Sequence, residues 1–135
     1  PGTTMNVLNT NPFSPRKGQL ATPPIVFLYE FKHGLNLYLR DWATGTKMKK
    51  LSDVVAFNNA HPKRALRFGQ DLALAAETTR GDLSELEYRS ARAMDLLAAK
   101  TRGLDAYYRR HKLDAVIFPA AHGAAIAARP GYPSV

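Results

Sequence analysis

The sequence predicts an α/β fold, a helix-rich fragment of a mixed-sheet domain with one clear strand at about 115–118 and several amphipathic helices. Apolar residues recur at helical spacing through most of residues 25–110. The period then changes at Ala115-Val116-Ile117-Phe118, a short continuous apolar run stopped by Pro119. Such a run reads as a strand buried on both faces. Gly131-Tyr132-Pro133-Ser134-Val135 reads as the start of another strand.

Residues 1–24 hold five of the nine prolines, with Gly2, Gly18 and several Asn and Thr, and form an irregular segment. From Ile25 the pattern turns helical. Leu28, Phe31, Leu35, Tyr38 and Trp42 fall at steps of three and four, which predicts one buried face. Ala43-Thr44-Gly45 ends that helix. Ser52 is the expected cap of a second helix, with Asp53 in its first turn and His61-Pro62 closing it. A third helical piece is expected from about Arg67 to Thr78, carrying Phe68, Leu72, Ala75 and Ala76. Ser84 and Glu87 have the spacing of a capping box, and the helix after them is expected to reach Arg110. Its seam is Ala91, Met94, Leu97, Thr101, Leu104 and Tyr108. Arg109, Arg110 and Lys112 suit the negative end of that helix.

The 135 residues suit one domain, and 45% hydrophobic with 22% charged residues is an ordinary globular composition. No apolar run approaches the ~20 residues that span a bilayer, so no membrane span is expected. No signal peptide is visible, which favours a cytoplasmic protein, although Pro1 is not an initiator Met. The chain has no cysteine, so disulfides and thiolate chemistry are excluded. Nineteen basic against eleven acidic residues give a formal charge of +8. The basic residues are scattered and interleaved with carboxylates, a solvated helix surface rather than a nucleic-acid footprint. Nucleic acid is therefore not an expected partner.

No catalytic constellation is present in this chain. There is no Gly-x-Ser-x-Gly elbow, P-loop or Gly-x-Gly-x-x-Gly segment. Ser14-Pro15-Arg16-Lys17 has the spacing in which a lysine amine can serve a serine nucleophile, but the companion Ser-x-Asn and Lys-Thr-Gly motifs are missing. His33, His61, His111 and His122 have neither metal-pair spacing nor a placed acidic partner, so neither a metal site nor a cofactor is expected. His122 follows the expected strand, the position where α/β sites cluster.

Four stretches occur in a telling order: Phe27-Leu28-Tyr29-Glu30-Phe31-Lys32-His33-Gly34-Leu35-Asn36-Leu37-Tyr38-Leu39; Leu51-Ser52-Asp53-Val54-Val55-Ala56-Phe57-Asn58-Asn59-Ala60-His61-Pro62; Phe68-Gly69-Gln70-Asp71 with Glu87-Tyr88; and Leu113-Asp114-Ala115-Val116-Ile117-Phe118-Pro119 with Gly131-Tyr132-Pro133-Ser134. Over residues 25–135 this order resembles the C-terminal half of amidase signature family enzymes. The resemblance implies an amidase-type mixed-sheet fold, with 25–135 as part of its C-terminal half. It also implies hydrolysis of a carbon–nitrogen amide bond by a Ser–cis-Ser–Lys triad without metal or organic cofactor. In that chemistry one serine attacks, the second relays a proton and the lysine acts as base and acid. No Gly-Gly-Ser-Ser segment exists here, so no catalytic residue carries over, and Lys32 is not the family's catalytic lysine. Arg129-Pro130 departs from the Ala usual before Gly-Tyr-Pro-Ser.

The expected function is thus a segment of an amide hydrolase whose catalytic residues lie outside this chain. Phe118, Pro119, Ala120 and His122 are expected to form one wall of the substrate pocket. The expected partners are the remainder of the amidase fold (its N-terminal half) or another chain, and a small amide substrate in the parent. The alternatives are a basic helical binding module for nucleic acid or protein, and a catalytically dead amidase relic. The isolated 135-residue chain is predicted to show no turnover of simple aryl amides. Measurable turnover abolished by Ser14→Ala or Lys17→Ala would overturn this and restore the Ser-x-x-Lys reading.

Overall fold

A computed structural model describes residues 25–134. The irregular segment 1–24, with Ser14 and Lys17, lies outside the described residues, as does Val135. In chain order the elements are α1 (Ile25–Asp41), α2 (Leu51–Ala60), the single turn α3 (Pro62–Ala65), α4 (Asp71–Glu77), α5 (Leu86–Asp95), a π-helical segment (Leu96–Leu104), α6 (Asp105–His111), a 3-10 turn (Ala120–Gly123) and α7 (Ala124–Ala128). The described chain divides into two compact units, residues 25–89 and residues 90–134.

The α/β expectation is overturned: among the described residues there is no strand, and the architecture is all-α. Residues 115–118 have no regular secondary structure, and Ile117 is 94% exposed. An apolar run becomes a strand only where neighbouring backbone satisfies its N–H and C=O groups, and no described segment offers that edge. The residues 131–134 likewise begin no strand.

In the first unit α1 is the central element. Its buried residues are Val26, Tyr29 and Leu39, not the expected stripe. Tyr38 is 58% and Trp42 78% exposed. At 100° per residue, the positions of Lys32, His33 and Asn36 fall on the same side as Val26, Tyr29 and Leu39, so the polar residues of the motif face inward. Each makes a long-range hydrogen bond. The Lys32 ammonium donates to the carbonyls of Glu77 (3.0 Å) and Thr79 (2.7 Å), and lies 3.5 Å from the Glu77 carboxylate. His33 Nδ1 lies 2.8 Å from the Gly81 carbonyl oxygen. Asn36 Oδ1 accepts the backbone N–H of Leu51 at 2.7 Å, the first residue of α2, whose side chain is 1% exposed.

These bonds explain how the short helices start and stop. The opening N–H groups of α2 lack intrahelical partners. Asn36 takes one, while Asp53 Oδ2 accepts from the N–H groups of Lys49 (2.8 Å) and Lys50 (3.2 Å) just before the helix. Ser52 lies inside the helix rather than capping it. At the far end of α4, Lys32 takes the carbonyl of its last residue, Glu77, and that of Thr79 two residues beyond, and the positive charge suits the negative helix end. Gly81 turns the chain at φ +81°, where a Cβ would also stand 3.3 Å from the Lys32 stem. Glycine is required there on both counts.

The other helix expectations are met in outline and displaced in detail. The third piece begins at Asp71, not Arg67, leaving Phe68 91% exposed beneath the Arg67 guanidinium. The Ser84–Glu87 box is replaced by two other arrangements. The Ser84 hydroxyl and N–H both donate to Asp82 Oδ1 (2.7 and 2.9 Å), and the Glu87 carboxylate accepts the Tyr29 hydroxyl (2.8 Å). The long helix is realised as α5, the π-helical segment and α6, reaching His111, with Gly103 leaving helical geometry at φ −92°, ψ −107°. Only Leu104 of its expected seam is buried, and Met94 is 63% exposed. Arg109, Arg110 and His111 do occupy the last turn of α6. No described helix is long and apolar enough to cross a membrane.

Two predictions follow from the inward polar face of α1. Lys32→Met removes two charge-assisted donors and is expected to destabilise the chain by about 2–3 kcal/mol, and Asn36→Leu by about 1–3 kcal/mol because it leaves the Leu51 N–H unsatisfied. Urea denaturation of the 135-residue chain, followed by circular dichroism, measures both. The Tyr29 hydroxyl is pushed up to about 12, chiefly by its hydrogen bond to Glu87 and then by burial. Because the folded value is raised, the contribution is complete below the ordinary tyrosine value near 10 and is lost as pH climbs from there through about 12. Tyrosinate absorbance should therefore show one late-titrating tyrosine that Tyr29→Phe removes. An unchanged alkaline titration in that variant would refute the assignment.

Candidate functional site

The residues that follow α6 shape an open groove in the second unit. α6 ends on Lys112 in the left-handed conformation (φ 51°), with Leu113 N–H donating to the Tyr108 carbonyl at 3.1 Å. The chain then runs without regular structure from Leu113 to Pro119, turns through Ala120–Gly123 and continues into α7. Between this course and α6 lies a groove of about 990 Å³. Leu104, Val116, Phe118, Ile126 and Ala127 give it apolar lining; Asp105, Arg109 and Asp114 supply charge.

Of the expected pocket wall, Phe118 and Ala120 line this groove and Pro119 does not. His122 lies on the 3-10 turn, and its side chain lies outside the described structure. Phe118 is placed by close approach. A Cβ on Gly123 would stand 2.4 Å from Phe118 Cδ2, so the ring rests against a backbone that only glycine leaves open. Ala120 takes φ 46°, a left-handed conformation that costs an L-residue roughly 1–2 kcal/mol.

The far side of the groove rests on Tyr132. Its hydroxyl donates to the Asp105 carboxylate, and its ring lies 5.9 Å from that of Tyr108 and 5.8 Å from the Lys100 ammonium. The hydrogen bond to Asp105, followed by burial, raises the Tyr132 hydroxyl above the usual tyrosine range. This tyrosine therefore stays neutral and donating at neutral pH. Arg129, the departure from the family pattern, also has a local role. Its carbonyl accepts from Arg92 Nη1 at 2.9 Å, and its guanidinium lies 3.8 Å from Asp95, tying the end of α7 to α5. Sequence reasoning missed Asp105; it marked Tyr132 within Gly-Tyr-Pro-Ser and Arg129 as a departure before it, without finding the contact either makes.

Among the described residues, Ser134 is the one serine that lines the groove and no lysine does, and no group of three His, Asp or Glu side chains could hold a metal ion. Lys32, in the other unit, has its donors aimed at two carbonyls.

Gly123→Ala is expected to displace the Phe118 ring and to cost about 1–3 kcal/mol, the usual cost of overpacking. In a Phe118→Ala background the same change should cost much less, because the clashing ring is gone. A double-mutant cycle by urea denaturation measures this coupling, and additive effects would show that Phe118 does not rest on Gly123.

Comparison with protein-family models, with curated proteins and with solved structures finds no match to this chain.

Proposed function

We propose that this chain is a segment of an amidase-type hydrolase acting on carbon–nitrogen amide bonds, with the catalytic serines and lysine supplied by polypeptide other than these 135 residues. One observation carries the reading: the motifs of residues 27–88 that resemble the amidase signature family hydrogen-bond one another. Asn36 of the first stretch holds the backbone of Leu51, which opens the second. Asn58 Nδ2 donates to Gln70 Oε1 at 3.1 Å, and Gln70 Nε2 donates to Asn59 Oδ1 at 2.7 Å, joining the second stretch to Phe68-Gly69-Gln70-Asp71. Tyr29 and Glu30 of the first stretch accompany Glu87 and Tyr88, through Tyr29–Glu87 at 2.8 Å and Tyr88–Glu30 at 3.0 Å. These contacts join the stretches that carry the resemblance into one packed unit, which is what the reading requires.

On this reading the chain contributes scaffold and one pocket wall. The groove bearing Phe118 and Ala120 would receive part of a small amide, and the oxyanion donors and the triad would come from the partner polypeptide. Pre-organised donors of that kind are usually the largest single contribution to acyl transfer.

The test is made on the parent protein. Its coding sequence upstream of Pro1, or the chain that co-purifies with this one, should contain a Gly/Ser-rich segment preceded by a lysine. The complete assembly should hydrolyse aryl amides and be labelled on one serine by a fluorophosphonate, whereas this chain alone is unlabelled. Phe118→Ala in the active assembly should change the ratio of kcat/KM between small and bulky amides by roughly 10-fold or more, the scale of a methylene-sized misfit in an apolar pocket. An assembly with no such segment and no labelled serine would leave the binding-module alternative standing.

A further inference from the structure

We draw no further inference here: the strongest candidate, the exposed aromatic face of α1 that carries Phe27, Tyr38 and Trp42, carries nothing because no feature of the described residues shows what covers it.

Discussion

The first unit depends on the Lys32 ammonium, which closes α4 from a different helix. It takes the carbonyl of Glu77, the last residue of a seven-residue helix, and that of Thr79 two residues beyond, where helix carbonyls lack intrahelical partners. A helix so short is not stable by propensity alone, and α4 buries only Ala76 fully. Its persistence therefore rests on what satisfies its ends and on its packing against α1. The same reasoning applies to α2, ten residues long, whose first N–H is taken by Asn36. α1 thus acts as a rod that caps two neighbours four residues apart along its own length, at Lys32 and Asn36. That spacing is a little over one helical turn, so both caps project from the same side of α1. The two helices they serve are thereby fixed in register with each other.

This constraint also explains which parts of the fold were legible in the sequence. Helical periodicity located α1, α2 and the long run to His111, because three-and-four spacing is a local property. It misassigned the inward face of α1. Phe31, Tyr38 and Trp42 look like a core seam, yet the packed side is the one that carries Lys32, His33 and Asn36 beside Val26, Tyr29 and Leu39. A hydrophobicity count ranks such polar residues as solvent-facing. Only the positions of their distant partners at 51, 77, 79 and 81 reveal otherwise, and those partners are tertiary information. The two caps expected at Ser52 and Ser84 failed because other acceptors took over the helix starts: distant Asn36 and local Asp53 in one case, and local Asp82 in the other.

The strand expectation failed on a different principle. Four consecutive apolar residues are compatible with a strand, a buried helix segment or a groove lining, and periodicity cannot choose among them. Val116, Ile117 and Phe118 all line the groove, but Val116 and Phe118 are half-buried while Ile117 between them is almost fully exposed. An alternation in burial is therefore kept without a sheet. Of the candidate wall, Phe118 and Ala120 were legible because they follow that run. Tyr132 and Asp105 were not, because their meeting joins residues 27 apart in sequence.

The electrostatics separate a scaffold role from a catalytic one. A general base needs an available lone pair near the reacting atom. Lys32 instead directs its N–H donors at two carbonyl oxygens and sits beside the Glu77 carboxylate, with its side chain only 14% exposed. Those contacts commit its donors to the backbone of the α4 end. The Tyr29 hydroxyl donates to Glu87, so the neighbouring carboxylate opposes ionisation and the tyrosine is held in the state that binds its structural partner. The polar residues that make the first stretch distinctive therefore hold helices together.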